Sequence, residues 1–236
     1  MKPKNTVSEI VTGGMLMLAG AITMLAWGNR RPHVPDGYLP ITFSWDDSLN
    51  AARLGGPAFR QISSGTAGRI GPKDAPVQIV VFADYSCGAC ALFDSSLARV
   101  HARLPEHVSI TMKHFQPRSD RVELLPHRGA VCASAQGIFP VYHESASWNP
   151  DFRYRLTDGD ALLDYLGLTE PEADRFLGCI ADGRSLQPVQ EDTEQGLALG
   201  VRSTPTSFVN GIRVVGAVSE ETLLRLVAAE LDRQPR

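Results

Sequence analysis

Cys87-Gly88-Ala89-Cys90 is the segment whose residue types and spacing can do chemistry. Two cysteines three positions apart can close a small disulfide ring, and the same spacing also serves as half of a zinc site. The pair follows an apolar run, residues 77–83 (VQIVVFA), and opens an amphipathic segment, residues 91–104. At a helix start, unpaired N–H groups and the helix dipole favour an anion, which lowers the pKa of the first thiol toward neutral pH. Strand, CxxC and helix in that order point to a redox centre. The remaining cysteines, Cys132 and Cys179, suggest one local and one long-range pair. They do not form the second closely spaced ligand pair that zinc needs, so no metal site is expected.

The elements that must hold this pair follow from the hydrophobic pattern. Residues 77–83 read as a strand buried on both faces, as in a sheet with helices packed on either side. A helix over 89–104 follows, closed by Pro105, and residues 108–115 (VSITMKHF) alternate apolar and polar like a second strand. Residues 116–127 are polar and proline-bearing, a connection in which Asp120 and Glu123 are solvated. From residue 128 to about 200 no strand pattern appears, and the spacing predicts helices over 129–136, 139–147, 159–166, 171–181 and 185–199. Thr169-Glu170-Pro171-Glu172 is a helix start, with a capping side chain, an early proline and early acids. Strands over 206–209 and 213–215 flank Asn210-Gly211, a two-residue hairpin signal. A closing helix over 219–231 has Ser219 as its N-cap. The order is β-α-β, a helical block, then β-β-α: an α/β domain divided by a helical insertion.

The chain has 236 residues and a formal net charge of −3, with no basic patch carrying interleaved aromatics, so no nucleic-acid partner is expected. Residues 10–27 (IVTGGMLMLAGAITMLAW) are uncharged and mainly apolar, with Lys2 and Lys4 before and Arg30-Arg31 after. At a helical rise they span ~27 Å, close to the hydrocarbon thickness of a bilayer. The reading is an uncleaved signal anchor, with a cleavable signal peptide as the alternative. A long-range cysteine pair fits a body outside the cytoplasm, periplasmic or on the cell-surface side of the plasma membrane. Residues 32–70 read as a spacer, with one short helix over 44–54.

Strand–CxxC–helix, a helical insert, and Thr204-Pro205 ahead of a hairpin together resemble the thioredoxin superfamily. More closely, the chain is similar to its DsbA-like branch of exported thiol–disulfide oxidoreductases. The matching stretches are residues 74–77 (DAPV), 82–90 (FADYSCGAC) and 200–206 (GVRSTPT), and the resemblance covers about residues 71–231. It implies a thioredoxin-like fold in 71–118 and 201–236, with 119–200 as the insertion; the signal segment, 1–31, lies outside the resemblance. By the same resemblance, Cys87 is the exposed nucleophile, Cys90 the buried resolving thiol, and Pro205 a cis-proline packed against the disulfide. A cis X-Pro bond costs only about 0.5–1 kcal/mol. Backbone beside Thr204 and Pro205 would pair with an extended substrate. Asp84, three residues before Cys87, either tunes the thiol or caps the loop. His114 and His127 are expected to be surface or packing residues.

The resemblance further implies a structural disulfide between Cys132 and Cys179. Closing a loop of about 48 residues is worth ~4 kcal/mol in the chain-entropy model. Two independent buried thiols, or a second redox pair, are the alternatives. No cofactor is expected beyond the Cys87–Cys90 disulfide itself. The implied partners are exported cysteine-containing proteins and a membrane oxidase of the quinone-linked kind, with the chain acting as a monomer. The implied function is an extracytoplasmic thiol–disulfide oxidoreductase that introduces disulfides. The alternatives are a reductase or isomerase and, from another class, a membrane-tethered metal-binding module. Many members of this branch carry Pro-His or Pro-Tyr between the cysteines. Gly88-Ala89 puts neither a histidine nor an aromatic beside the nucleophile, which leaves the direction of exchange open.

Overall fold

The structure is a computed structural model that describes Phe59, Ile62 and residues 68–117 and 124–233. The apolar segment at 10–27, the short helix read over 44–54 and the loop with Asp120 and Glu123 lie outside the described residues. Among the described residues no helix is long and apolar enough to cross a membrane.

One 5-stranded mixed sheet organises the domain, in the order β1-β3-β2-β4-β5. Its strands are β1 (Arg69–Ile70), β2 (Val77–Ala83), β3 (Val108–His114), β4 (Thr206–Val209) and β5 (Ile212–Val215). β2 and β3 run parallel along their full length, from Val77 opposite Val108 to Ala83 opposite His114. β4 returns antiparallel to β2, from Ile79 opposite Val209 to Phe82 opposite Thr206. β5 is antiparallel to β4 across the Asn210-Gly211 turn, where both residues take positive φ, 45° and 90°. Asn and Gly accept that left-handed conformation at little cost, and the hairpin follows from it.

Eight helices are described: α1 (Gly88–Arg103), α2 (Leu125–Ala135), α3 (Phe139–Trp148), α4 (Pro150–Tyr154), α5 (Gly159–Leu166), α6 (Glu170–Ala181), α7 (Leu186–Ala198) and α8 (Glu220–Asp232). α1 supplies the crossover between the parallel strands β2 and β3, as such a pair requires. Its end is tied to the start of α8, where Glu220 accepts from Arg99 at 2.7 Å and forms an ion pair with Arg103 at 2.8 Å. Ser219 caps α8 by accepting from the Thr222 N–H. Thr169 and Glu172 form a capping box on α6. The architecture is a thioredoxin-like α/β fold, with α2 to α7 entering between β3 and β4.

The core runs along both faces of β2, where Ile79, Val80, Val81 and Phe82 are fully buried. Phe82 meets Phe115 and Phe208 edge-on, at 6.3 and 6.0 Å between ring centroids. Phe59, Ile62, Val80 and Val201 complete that cluster. α7 lies so close above it that a Cβ on Gly196 would come within 2.7 Å of the Phe115 ring. Only glycine lets the helix backbone approach that far.

The structure departs from the sequence pattern in four places. β1 and the core residues Phe59 and Ile62 fall within 32–70, the stretch read as spacer, so the domain begins earlier than 71. α4 is an added short helix, capped by Asn149, whose side chain accepts from Phe152 N–H. α2 starts at Leu125 rather than 129, with Pro126 in its first turn, where the missing N–H costs nothing. β3 is buried throughout instead of alternating, and two of its polar residues, Lys113 and His114, make side-chain contacts inside. Lys113 pairs with Asp192 of α7 at 2.6 Å, both nearly inaccessible.

Candidate redox site

The turn after β2 aims the cysteine pair. Asp84 Oδ1 accepts from both the N–H and the hydroxyl of Ser86, at 2.8 Å each, and the Asp84 carbonyl accepts from Cys87 N–H at 3.0 Å. A short acid bonding its own backbone two residues on is a local turn former, so the chain reverses here into α1. Cys87 becomes the N-cap of α1, with extended backbone (φ −88°, ψ 109°), and its carbonyl accepts from Cys90 N–H at 2.9 Å. Cys87 is partly exposed, Cys90 is buried, and both are thiols.

Sheet register brings the second half of the site. Because β4 runs antiparallel to β2, its first residue lies beside the end of β2, where the turn begins. Thr204 and Pro205 immediately precede β4 and are joined by a cis peptide bond. The Cys87 thiol donates to the Thr204 carbonyl at 3.4 Å. Residues 117 positions apart in sequence are thus in contact.

The electrostatics separate the two thiols. Cys87 is lowered to about 6, first by the hydrogen bond from Cys90 and, against the opposing effect of burial, by the Thr204 side chain and the N–H groups of Cys90 and Ala89. Those donors favour the thiolate, as helix N-termini do for anions. Cys90 moves the other way: the hydrogen bond with Cys87 and then burial push its thiol far above the ordinary range. One sulfur is therefore a ready nucleophile at neutral pH and the other retains its proton.

Asp84 does more than shape the turn. Besides Ser86 it accepts from Gln116 Nε2 at 2.9 Å and faces His127 Nε2 at 3.3 Å. Burial raises its carboxyl, but the bonds from His127 and Ser86 outweigh that and leave it below the usual value. His114 and His127 are both buried and joined through their Nδ1 atoms at 3.1 Å. Tyr85 lies between two histidines, with ring centroids 5.2 Å from His127 and 5.7 Å from His143. His143 Nδ1 is 3.1 Å from the Tyr85 hydroxyl, and its Nε2 is 3.4 Å from Asp94. No local spacing announces this cluster, because β3, α2 and α3 each contribute a single histidine.

Away from the site, Cys132 of α2 and Cys179 of α6 are joined as a disulfide, with 5.9 Å between their Cα atoms. Among the described residues no group of three or more His, Cys, Asp or Glu is placed to hold a metal ion.

The family model described as thioredoxin matches residues 63–229. The chain belongs to the thioredoxin family. Among curated proteins it is similar to a Na(+)/H(+) antiporter of Salinispora tropica, 29% identical over 157 residues. That match takes in 65% of this chain and 23% of the antiporter, so the chain spans about a quarter of the length of the curated relatives it matches. Among solved structures it is similar to the thiol-disulfide exchange protein alpha-DsbA2 from Wolbachia pipientis, with a TM-score of 0.62 and 20% identity over 79% of this chain and 99% of that one. The catalytic domain of Proteus mirabilis ScsC gives a TM-score of 0.61 at 20% identity, over 75% of this chain and 98% of that domain. At such identities the likeness speaks to the fold. The match begins at residue 63, ahead of β1 and next to the core residue Ile62.

Proposed function

We propose that this chain is a thiol–disulfide oxidoreductase that exchanges disulfides at Cys87 and Cys90, acting outside the cytoplasm on exported cysteine-containing proteins. The observation that carries this reading is the paired chemistry of the two thiols. Cys87 is partly exposed and lowered to about 6, while Cys90 is buried and held protonated three residues on. With that value about nine-tenths of Cys87 is thiolate at neutral pH, which is the reactive form. The fold it shares with an exchange protein supports the same reading.

In the oxidising direction a substrate thiolate attacks Cys87 of the closed pair, the Cys87–Cys90 bond breaks, and a mixed disulfide forms. A second substrate thiolate then attacks the substrate sulfur and releases Cys87 as thiolate. The substrate leaves with a new disulfide, and the enzyme holds the two electrons as a dithiol. A membrane oxidase of the quinone-linked kind would take those electrons and restore the pair. Stabilisation of the Cys87 thiolate favours the reduced enzyme, which is what makes such a pair an oxidant. The disulfide of Cys132 and Cys179 suits an oxidising compartment. The apolar segment at 10–27 would hold the domain at the outer face of the membrane. The test is oxidation of a reduced model protein: Cys87→Ser abolishes it, and full activity in that variant would contradict the proposal.

A reductase or isomerase would use the same residues with electrons supplied from the membrane. Gly88-Ala89 favours that alternative, since no side chain between the cysteines adds to the thiolate's stability. The reduction potential separates the two, near −270 mV for a reductant of the thioredoxin kind and near −120 mV for a strong oxidant.

A further inference from the structure

Three side chains are joined in series behind the turn that presents Cys87. Asp84 stands at one end and His114 at the other, with 3.3 Å from Asp84 Oδ1 to His127 Nε2 and 3.1 Å between the two histidine Nδ1 atoms. Each link has a direction. The Asp84 carboxylate only accepts, so Nε2 of His127 carries a hydrogen. At 3.3 Å this bond is longer than the about 2.7–2.9 Å of a charged N–H on a carboxylate, so the donor is an uncharged imidazole. An uncharged ring with its hydrogen on Nε2 has a bare Nδ1, and the facing Nδ1 of His114 must donate to it. Burial above all holds His114 well below its ordinary value, so this ring too has a single N–H. That hydrogen is given to His127, and Nε2 of His114 is left as a bare acceptor.

This nitrogen is buried and no protein group bonds it. The donors nearby are engaged: the Lys113 ammonium on Asp192, the Ser147 hydroxyl on Asp94 and the Tyr85 hydroxyl at His143. Asp192 and Thr193 of α7 fix the His114 backbone through its N–H and carbonyl. A buried acceptor without a donor costs the whole of its desolvation, so folded proteins supply one. His114 lines a cavity of about 20 Å³, room for one water molecule, together with Lys113, His143 and Ser147. The Ser147 oxygen, which donates to Asp94, can also accept, so a water in this space finds the two polar partners that hold it.

We propose that a single water molecule in this cavity donates to His114 Nε2, and that His114 and His127 are positioning residues that hold Asp84 and so fix the turn that presents Cys87. Asp84 Oδ1 also accepts from the Ser86 N–H and hydroxyl, and the Asp84 carbonyl accepts from Cys87 N–H. A His127 ring locked in one tautomer keeps the carboxylate turned toward Ser86, and with it the Ala89 and Cys90 amides on the Cys87 sulfur. The effect on Cys87 rests on the exchange reaction proposed above; the tautomers and the water do not.

Reduced, nitrogen-15-labelled full-length protein at pH 8 tests the chain directly. Long-range proton–nitrogen correlation is expected to place the hydrogen of His127 on Nε2 and that of His114 on Nδ1, with a nuclear Overhauser contact from a long-lived water to the His114 ring. A hydrogen on Nε2 of His114, or a ring with no water contact, overturns the proposal. Positioning is read from alkylation of Cys87 by iodoacetamide. His114→Phe removes both nitrogens and should slow the reaction at pH 6 about five-fold, as the thiolate inflection rises by about one pH unit. His114→Asn keeps an N–H near the Nδ1 position and should restore most of that rate, together with the His127 tautomer. Equal alkylation of the parent and a folded His114→Phe overturns the positioning role. The parent spectra need no variant, so they decide the matter if His114→Phe does not fold. A parent with these tautomers and this water that fails to oxidise a reduced protein upholds the chain and contradicts the exchange reading.

Discussion

Cys87 owes its acidity to donors that converge on the start of α1, from the Cys90 thiol, the Thr204 side chain and the first helical amides. Neither residue between the cysteines contributes a side chain to it, so the site reaches a value near 6 through backbone and register. Thiolate absorbance in the reduced protein should therefore rise through an inflection near pH 6, and Cys87→Ser should remove that step. The sign for stability follows from the same value. Between about pH 6 and the ordinary thiol value of about 8.5, the native reduced protein has released a proton that the unfolded chain still holds. Reduced-state stability should rise with pH across that window and lose this contribution as pH falls through 6. Urea midpoints measured at pH 5 and pH 8 for the parent and Cys87→Ser isolate the effect, which is expected only in the parent.

At the scale of elements, α7 is held to the sheet by a buried ion pair. Lys113 of β3 and Asp192 of α7 meet at 2.6 Å, and Asp192 also accepts from His114 N–H at 3.1 Å. Burial pushes the Asp192 carboxyl up and Lys113 opposes that shift. Asp192→Ala strands a charge in the interior and should cost about 3–5 kcal/mol, read as a lowered urea midpoint. The disulfide between α2 and α6 joins residues 47 positions apart, and replacing both Cys132 and Cys179 by alanine should cost ~4 kcal/mol in the chain-entropy account. Dithiothreitol should lower the urea midpoint of the parent relative to that of the double variant, in which Cys87–Cys90 is the pair left to reduce.

The elements also show what the sequence makes legible. β2, α5 and β4 match the hydrophobic pattern to the residue, because continuous apolar runs and an Asn-Gly turn are local signals. β1 has no such signal: two residues become a strand only because β3 presents an unpaired edge to them. The cysteines and Thr204-Pro205 stood out by type and spacing. The cluster of His114, His127, His143 and Asp94 did not, since its members come from β3, α2, α3 and α1 and meet only after the insertion folds over the sheet. His114 and His127, read from sequence as surface or packing residues, are buried and bonded to each other.

For the whole molecule, the sheet brings two distant segments to one end, and Cys87 lies where they meet. The stretch similar to this chain makes up about a quarter of the length of the matched antiporters. The expected potential of the cysteine pair follows from the thiolate. A Cys87 value of about 6 lies below the ~7 of thioredoxin and above the ~3.5 of DsbA, so the potential of the pair should fall between about −270 and −120 mV. Equilibration with glutathione buffers measures it.

The most direct test of the central claim is a trap. With Cys90→Ser the resolving thiol is gone, so a protein disulfide attacked by Cys87 should remain attached. Incubated with a disulfide-bearing model protein, this variant is predicted to accumulate a mixed disulfide that mass analysis places at Cys87 and that a reductant releases. Failure to form any adduct, or an adduct placed at another residue, would contradict the account.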